Sequence, residues 1–149
     1  MTKMILIIYG IICVLEKYKI PILPTLINII FIRLLLGCKI SNGAKIGKNV
    51  LLGYGGLGIV IHQDSIIHDN VSIAPHVVLG GTTKKKGAPN IGKNSIIGTG
   101  AKILGPVSIG ENCYIGANAV VINNIPDNSL AVGLPAKVIK NNIDINDYR

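Results

Sequence analysis

Three histidines, His62, His68 and His76, lie within fifteen residues of one another in this chain. A neutral imidazole titrates near pH 7 and is well suited to removing a proton from an attacking hydroxyl. Asp64 and Asp69 stand close to two of them, and either carboxylate is able to orient a ring. Ahead of His62, the stretch LLGYGGLGIVIHQD at 51–64 places glycines at 53, 55, 56 and 58, a composition that allows backbone to approach a substrate closely. Further on, TTKKKGAPNIG at 82–92 carries Lys84, Lys85 and Lys86, cations that suit a phosphate-bearing ligand. Each feature also has a plainer reading: a corner histidine bonded to its neighbour, a glycine-rich turn, or a solvated charge run.

Other chemistries fit less well. Cys13, Cys38 and Cys113 are odd in number and irregular in spacing, with no C-x-x-C pair. That argues against a disulfide framework or a zinc site, so no metal is expected, and it points to a reducing, cytoplasmic compartment. The formal charge of +8 suits a phosphate-rich ligand or an anionic membrane surface. Nucleic acid is set aside as a partner, because the basic residues are spread thinly and no aromatic platform accompanies them.

A six-residue rule positions these groups. Ile40, Ile46 and Leu52 are followed by Ile61, Ile67, Ile73 and Leu79, then by Ile91, Ile97, Ile103, Ile109, Ile115 and Val121. The residue four further on is small or β-branched, and the next residue is often glycine, as at Gly47, Gly92, Gly98, Gly110 and Gly116. Hexads of this kind predict a parallel β-helix, in which each short strand is one face of a coil. The glycines predict tight corners, through positive φ or close backbone approach. A β-sandwich would not hold one phase for so long.

Two interruptions stand out. The first adds three residues before Ile61. The second, between Leu79 and Ile91, would put Lys85 in an inward slot if counted as one more hexad. An unpaired buried charge is too costly, so 82–90 is expected to be an excursion from the solenoid. His62 and His68 occupy slots normally held by glycine, on successive faces. His76 lies three after its aliphatic.

The chain divides into an N-terminal helical segment, 1–39, a β-helix, 40–139, and a polar tail, 140–149. Apolar runs at Met4–Leu15 and Ile20–Leu36 are each too short to span a bilayer. Two short helices are expected, the second starting near Pro24 and running to about Leu36. They are expected to cover the open strand edge of the coil. Peripheral membrane contact through residues 1–36 is the second option.

The pattern resembles the left-handed β-helix acyltransferases of the hexapeptide-repeat family. The resemblance covers about 40–139 and is nearest to the serine acetyltransferase-like branch. GIVI at 58–61, LGGT at 79–82, IGTGAKILGPVSIG at 97–110, IGANAVV at 115–121 and AVGLPAKVI at 131–139 carry it. It implies a left-handed, all-β coil and direct acetyl transfer from acetyl-CoA to a hydroxyl, without a metal. It implies a homotrimer with active sites between subunits. His62 is the first choice as base, with His76 and His68 as alternates. Gly81, Thr82 and Lys84 at the loop, Thr99 and Ala117 along the pantetheine arm, and Leu134, Pro135 and Lys137 near the adenine end match the family's donor site.

Some positions depart from the serine enzymes. Their loop histidine falls on Tyr54 or Gly55, their aspartate on Lys39, and their later histidine near Ala88. YGGLGIVIH resembles instead short acetyltransferases of surface polysaccharide synthesis. The leading expectation is therefore acetylation of a sugar hydroxyl, free or lipid-linked. Serine O-acetylation and a non-catalytic β-helix scaffold are the alternatives.

Overall fold

The computed structural model describes residues 1–149 except Leu36 and Lys84, and of Leu35 only the backbone. The hexads wind into a three-faced parallel coil. The first face stacks Lys39–Ile40, Val60–Ile61, Val78–Gly80, Lys102–Leu104 and Val120–Val121. The second stacks Lys45–Ile46, Ile66–Ile67, Asn90–Ile91 and Ser108–Ile109. The third stacks Leu51–Leu52, Ser72–Ile73, Ile96–Ile97, Tyr114–Ile115 and Ser129–Gly133, and Ala136–Asn141 closes it as an antiparallel edge.

The inward residues form one column. Ile40, Leu52, Ile61, Ile67, Ile73, Leu79, Ile91, Ile97, Ile103, Ile109, Ile115 and Val121 are buried, and only Ile46 of the hexad aliphatics is partly exposed. The slot four residues on is buried from Ala44 to Ile125, except at Thr83, which is exposed. Thr83 lies in the excursion: Leu79 on the first face leads directly to Ile91 on the second, and Lys85 is exposed outside the coil. The cost of burying a lysine thus decides the topology here.

The corner glycines serve one of the two purposes expected of them. Gly92, Gly98, Gly110 and Gly116 do not have positive φ. They are needed because the coils touch: a methyl on Gly98 would lie 2.7 Å from the amide nitrogen of Ala117. Positive φ falls two residues later. At the second-to-third corner it is taken by Asn49, Asn70, Asn94, Asn112 and Asn128, with φ of 53–60°. Asparagine tolerates this region better than most residues.

Their side chains form a ladder. The amide of each donates to the carbonyl oxygen of the next, from Asn49 through Asn128, at 3.0–3.2 Å. Asn94→Ala removes two rungs and leaves a Cβ-bearing residue at positive φ without compensation. A loss of about 2 kcal/mol is expected in denaturant unfolding, with Asn94→Gly losing about half as much. Equal stability of both variants with the parent would mean that the rungs contribute nothing.

Two helices lie across the first coil: α1 (Thr2–Lys17) and α2 (Leu23–Ile27), which continues as π-helix over Asn28–Leu35. They partner backbone carbonyls of that coil. Thr2 Oγ1 donates to Leu52 O at 2.7 Å, Tyr9 Oη to Ala44 O at 2.8 Å, and Asn28 Nδ2 to Ile40 O at 2.8 Å. Ile5, Tyr9, Ile12 and Ile32 are buried against the solenoid end. Among the described residues no helix is long and apolar enough to cross a membrane. At the other terminus, residues 140–149 return to the coil: Ile143 and Ile145 are buried, and Tyr148 stacks on Tyr114 at 5.0 Å.

Candidate active site

Chain order around the prism sends the three histidines to three different corners. His62 follows Val60–Ile61, at the corner between first and second faces. His68 follows Ile66–Ile67, at the next corner, which also carries the asparagine ladder. His76 follows Ser72–Ile73, at the third corner. No two of them can therefore share one site within a chain.

Local contacts separate them further. His68 Nε2 donates to Asn90 Oδ1 at 3.1 Å, which ties the ring to the next coil. His76 has φ of 60° and its amide donates to Leu57 O at 2.9 Å. Its ring lies where a side chain on Gly58 would stand, so it fills the corner against the glycine-rich loop. His62 instead opens into a cleft of about 550 Å³ with Gln63, Asp64, Gly81, Thr82, Thr83, Lys85, Lys86 and Gly87.

A backbone contact selects the tautomer of a neutral His62. The Asp64 amide donates to His62 Nδ1 at 3.2 Å. A neutral imidazole has one donor and one acceptor nitrogen, so Nε2 carries the proton in this arrangement. Nε2 points to the mouth of the excursion, and a methyl on Gly81 would lie 3.4 Å from it. A ring that abstracts a proton through Nε2 must first move its own proton to Nδ1. That sacrifices the amide hydrogen bond, at about 1 kcal/mol. Asp64 Oδ2 lies 3.8 Å from Nδ1, too far for a hydrogen bond but near enough to favour an imidazolium electrostatically. Asp69 is engaged elsewhere, since its Oδ1 accepts from the Lys48 amide at 2.7 Å. Of the two carboxylates, only Asp64 reaches His62.

The excursion is seated on the coil below it. A methyl on Gly105 would approach Thr82 Cγ2 at 3.3 Å, and Gly87, at φ of 106°, lies against Pro106. Thr82 and Lys85 pair as an isolated antiparallel bridge. Lys85 and Lys86 are exposed beside the cleft; Lys84 lies outside the described residues.

The other residues matched to a donor site occupy the third corner. Thr99 and Ala117 are exposed there, and the Asn118 amide donates to Thr99 O at 2.8 Å, so they are neighbours on successive coils. Val132 stacks on Gly116, which puts Gly133, Leu134 and Pro135 next in the same column. Leu134 is 76% exposed, and Lys137 is exposed on the returning strand. The column and the His62 cleft therefore lie at opposite edges of the first face.

Sequence reasoning passed over Gln63, Thr83 and Gly87, which line the cleft only because the excursion folds back on itself. It gave Tyr54 little weight. That residue heads the third-corner column, 85% exposed, with φ of 48° and ψ of 37°. A non-glycine residue held in that region costs energy and is concentrated at functional sites. The cysteines take no part: burial pushes the Cys38 thiol up to about 11, far from a nucleophile's range. No three metal-ligating side chains converge among the described residues.

Residues 88–123 match the family described as bacterial transferase hexapeptide (six repeats). A serine acetyltransferase of Staphylococcus aureus (strain Mu50 / ATCC 700699) is 44% identical over 110 residues, which cover 72% of this chain and 51% of that protein. The crystal structure of a serine acetyltransferase from Brucella abortus strain S19 superposes with a TM-score of 0.88 at 28% identity, over 94% of this chain and 57% of that one. A serine acetyltransferase solved in complex with CoA superposes at 0.82 with 33% identity, over 91% of this chain and 55% of that one. The chain spans about half the length of the curated relatives it matches. A coil of the opposite hand could not superpose at such scores, so this chain winds as they do.

Proposed function

From a chain that belongs to the left-handed β-helix, hexapeptide-repeat acyltransferases, on their serine acetyltransferase-like branch, we propose an O-acetyltransferase that takes its acetyl group from acetyl-CoA in the cytoplasm. The observation that carries this is the His62 cleft, in which an imidazole, a carboxylate and two exposed lysines meet at the excursion. The acceptor hydroxyl enters beside His62. The shifted tautomer removes its proton as the oxygen attacks the thioester carbonyl. The new C–O bond forms, the C–S bond breaks, and the imidazolium returns the proton to the departing thiolate.

Lys85 and Lys86 offer charge to the phosphates. Thr99 and Ala117 give a small-residue bed to the pantetheine arm, with Leu134, Pro135 and Lys137 toward the adenine. Because that bed lies at the far edge of the first face, a working site takes the cleft from one subunit and the bed from another. A homotrimer satisfies that demand by placing each corner against a neighbour's.

L-serine is the acceptor best supported by the similarity to serine acetyltransferases. A sugar hydroxyl remains as a second reading on one observation: Tyr54 and Gly55, not histidine, occupy the glycine-rich loop. Thiol release from acetyl-CoA separates them. Stimulation by L-serine is expected on the first reading, and stimulation by a nucleotide- or lipid-linked sugar alone would select the second. No release with any acceptor, and no CoA binding, would leave a scaffold and overturn both.

A further inference from the structure

The outward face of the helical segment has no polar side to turn to water. From Met4 to Leu15, α1 carries no charged residue. One side is used against the solenoid end by Ile5, Tyr9 and Ile12. The other presents Met4, Ile7, Ile11, Val14 and Tyr18 at helical spacing, and Ile7 is 64% exposed. The second helix adds Leu26, Ile30, Phe31 and Leu34, the last 71% exposed. A helix apolar all round is ordinarily covered all round. Contiguous exposed apolar surface of this kind marks a binding face.

Charge identifies what covers it. Residues 1–39 contain five basic residues and one acid, Glu16. Lys3, Lys17, Lys19 and Arg33 are exposed around the apolar stripe. A second copy docked face to face would set these cations against their own kind. A bilayer with anionic headgroups accepts both parts at once, apolar side chains below the headgroups and lysines among them. Since no described helix is long and apolar enough to cross, the contact lies in the interface plane.

We propose that α1 and the helix after it form a peripheral membrane-binding face that seats the solenoid end-on against an anionic lipid surface. This does not depend on the acetyl-transfer reading, and its test needs no substrate.

The full chain is floated with vesicles of neutral phosphatidylcholine and with vesicles in which phosphatidylglycerol replaces about a third of it. Co-flotation with the anionic vesicles is expected, weakening as salt rises. Lys17→Glu with Lys19→Glu leaves every packed residue untouched and is expected to lower vesicle affinity by tenfold or more. Ile7→Ser with Ile11→Ser changes exposed residues only and is expected to abolish flotation, with an unchanged circular dichroism melt. Equal binding to neutral and anionic vesicles overturns the electrostatic part. Absence of flotation overturns the whole, and a discrete larger oligomer lost in the Ile7/Ile11 variant would show that a second copy covers the face.

Discussion

His62→Ala is expected to reduce kcat by two to four orders of magnitude, roughly the worth of a positioned general base, with the KM for acetyl-CoA changed less than about twofold. The separation follows from where the ring lies. His62 borders the cleft at the first corner, whereas Thr99 and Ala117, proposed to bed the pantetheine arm, are at the third. On the proposed mechanism, truncating the ring leaves the donor's contacts in place and removes the base that takes the acceptor's proton. Asp64→Asn provides the control. It keeps the backbone amide that donates to Nδ1 and removes the carboxylate 3.8 Å away. A smaller fall in kcat is expected, because an imidazolium formed during transfer loses the neighbouring negative charge. Parent-like turnover in His62→Ala would remove this histidine from the mechanism.

Mixing two inactive chains should restore activity. If each site joins the first corner of one subunit to the third corner of the next, His62→Ala damages one half and Ala117→Trp, which fills the exposed bed, damages the other. In trimers assembled at random from equal amounts, about a quarter of the sites draw both halves intact. Co-expression under separate tags is therefore expected to recover about a quarter of the parent rate from two chains that are nearly inactive alone. No recovery in mixed trimers would mean that each site is built within one chain.

The solenoid was legible because its rule is periodic and its penalty is steep. Lys85 could not enter the column of Ile and Val, and that alone settled where the chain leaves the coil. The asparagine ladder is equally open to counting for Asn49, Asn70, Asn94 and Asn112, each three residues after the aliphatic of every third hexad, while Asn128 falls outside that count because the repeat ends at Val121. Chemistry was harder to read. The three histidines looked like alternates for one task, yet a modulo-three count sends each to its own corner. The tautomer of His62 rests on a 3.2 Å contact from a backbone amide, which no spacing reveals. The expectation of a sugar acceptor rests on the departures at Lys39, Tyr54 or Gly55 and Ala88 and on the string YGGLGIVIH, while the similarity over 110 residues is to a serine acetyltransferase.

The excursion at the first corner has one more consequence. Leu79 pairs with Ile103, 24 residues on, whereas Ile61 pairs with Leu79 and Ile103 with Val121, each 18 residues on. The surplus is one hexad's worth of chain, inserted without altering the pitch or phase of anything after it. Scaffold and excursion are thus separable parts. A chain trimmed to an 18-residue circuit at this corner would keep its column of Ile and Val and lose only the mouth of the cleft, so loop sequences can be exchanged here as cartridges in an unchanged frame.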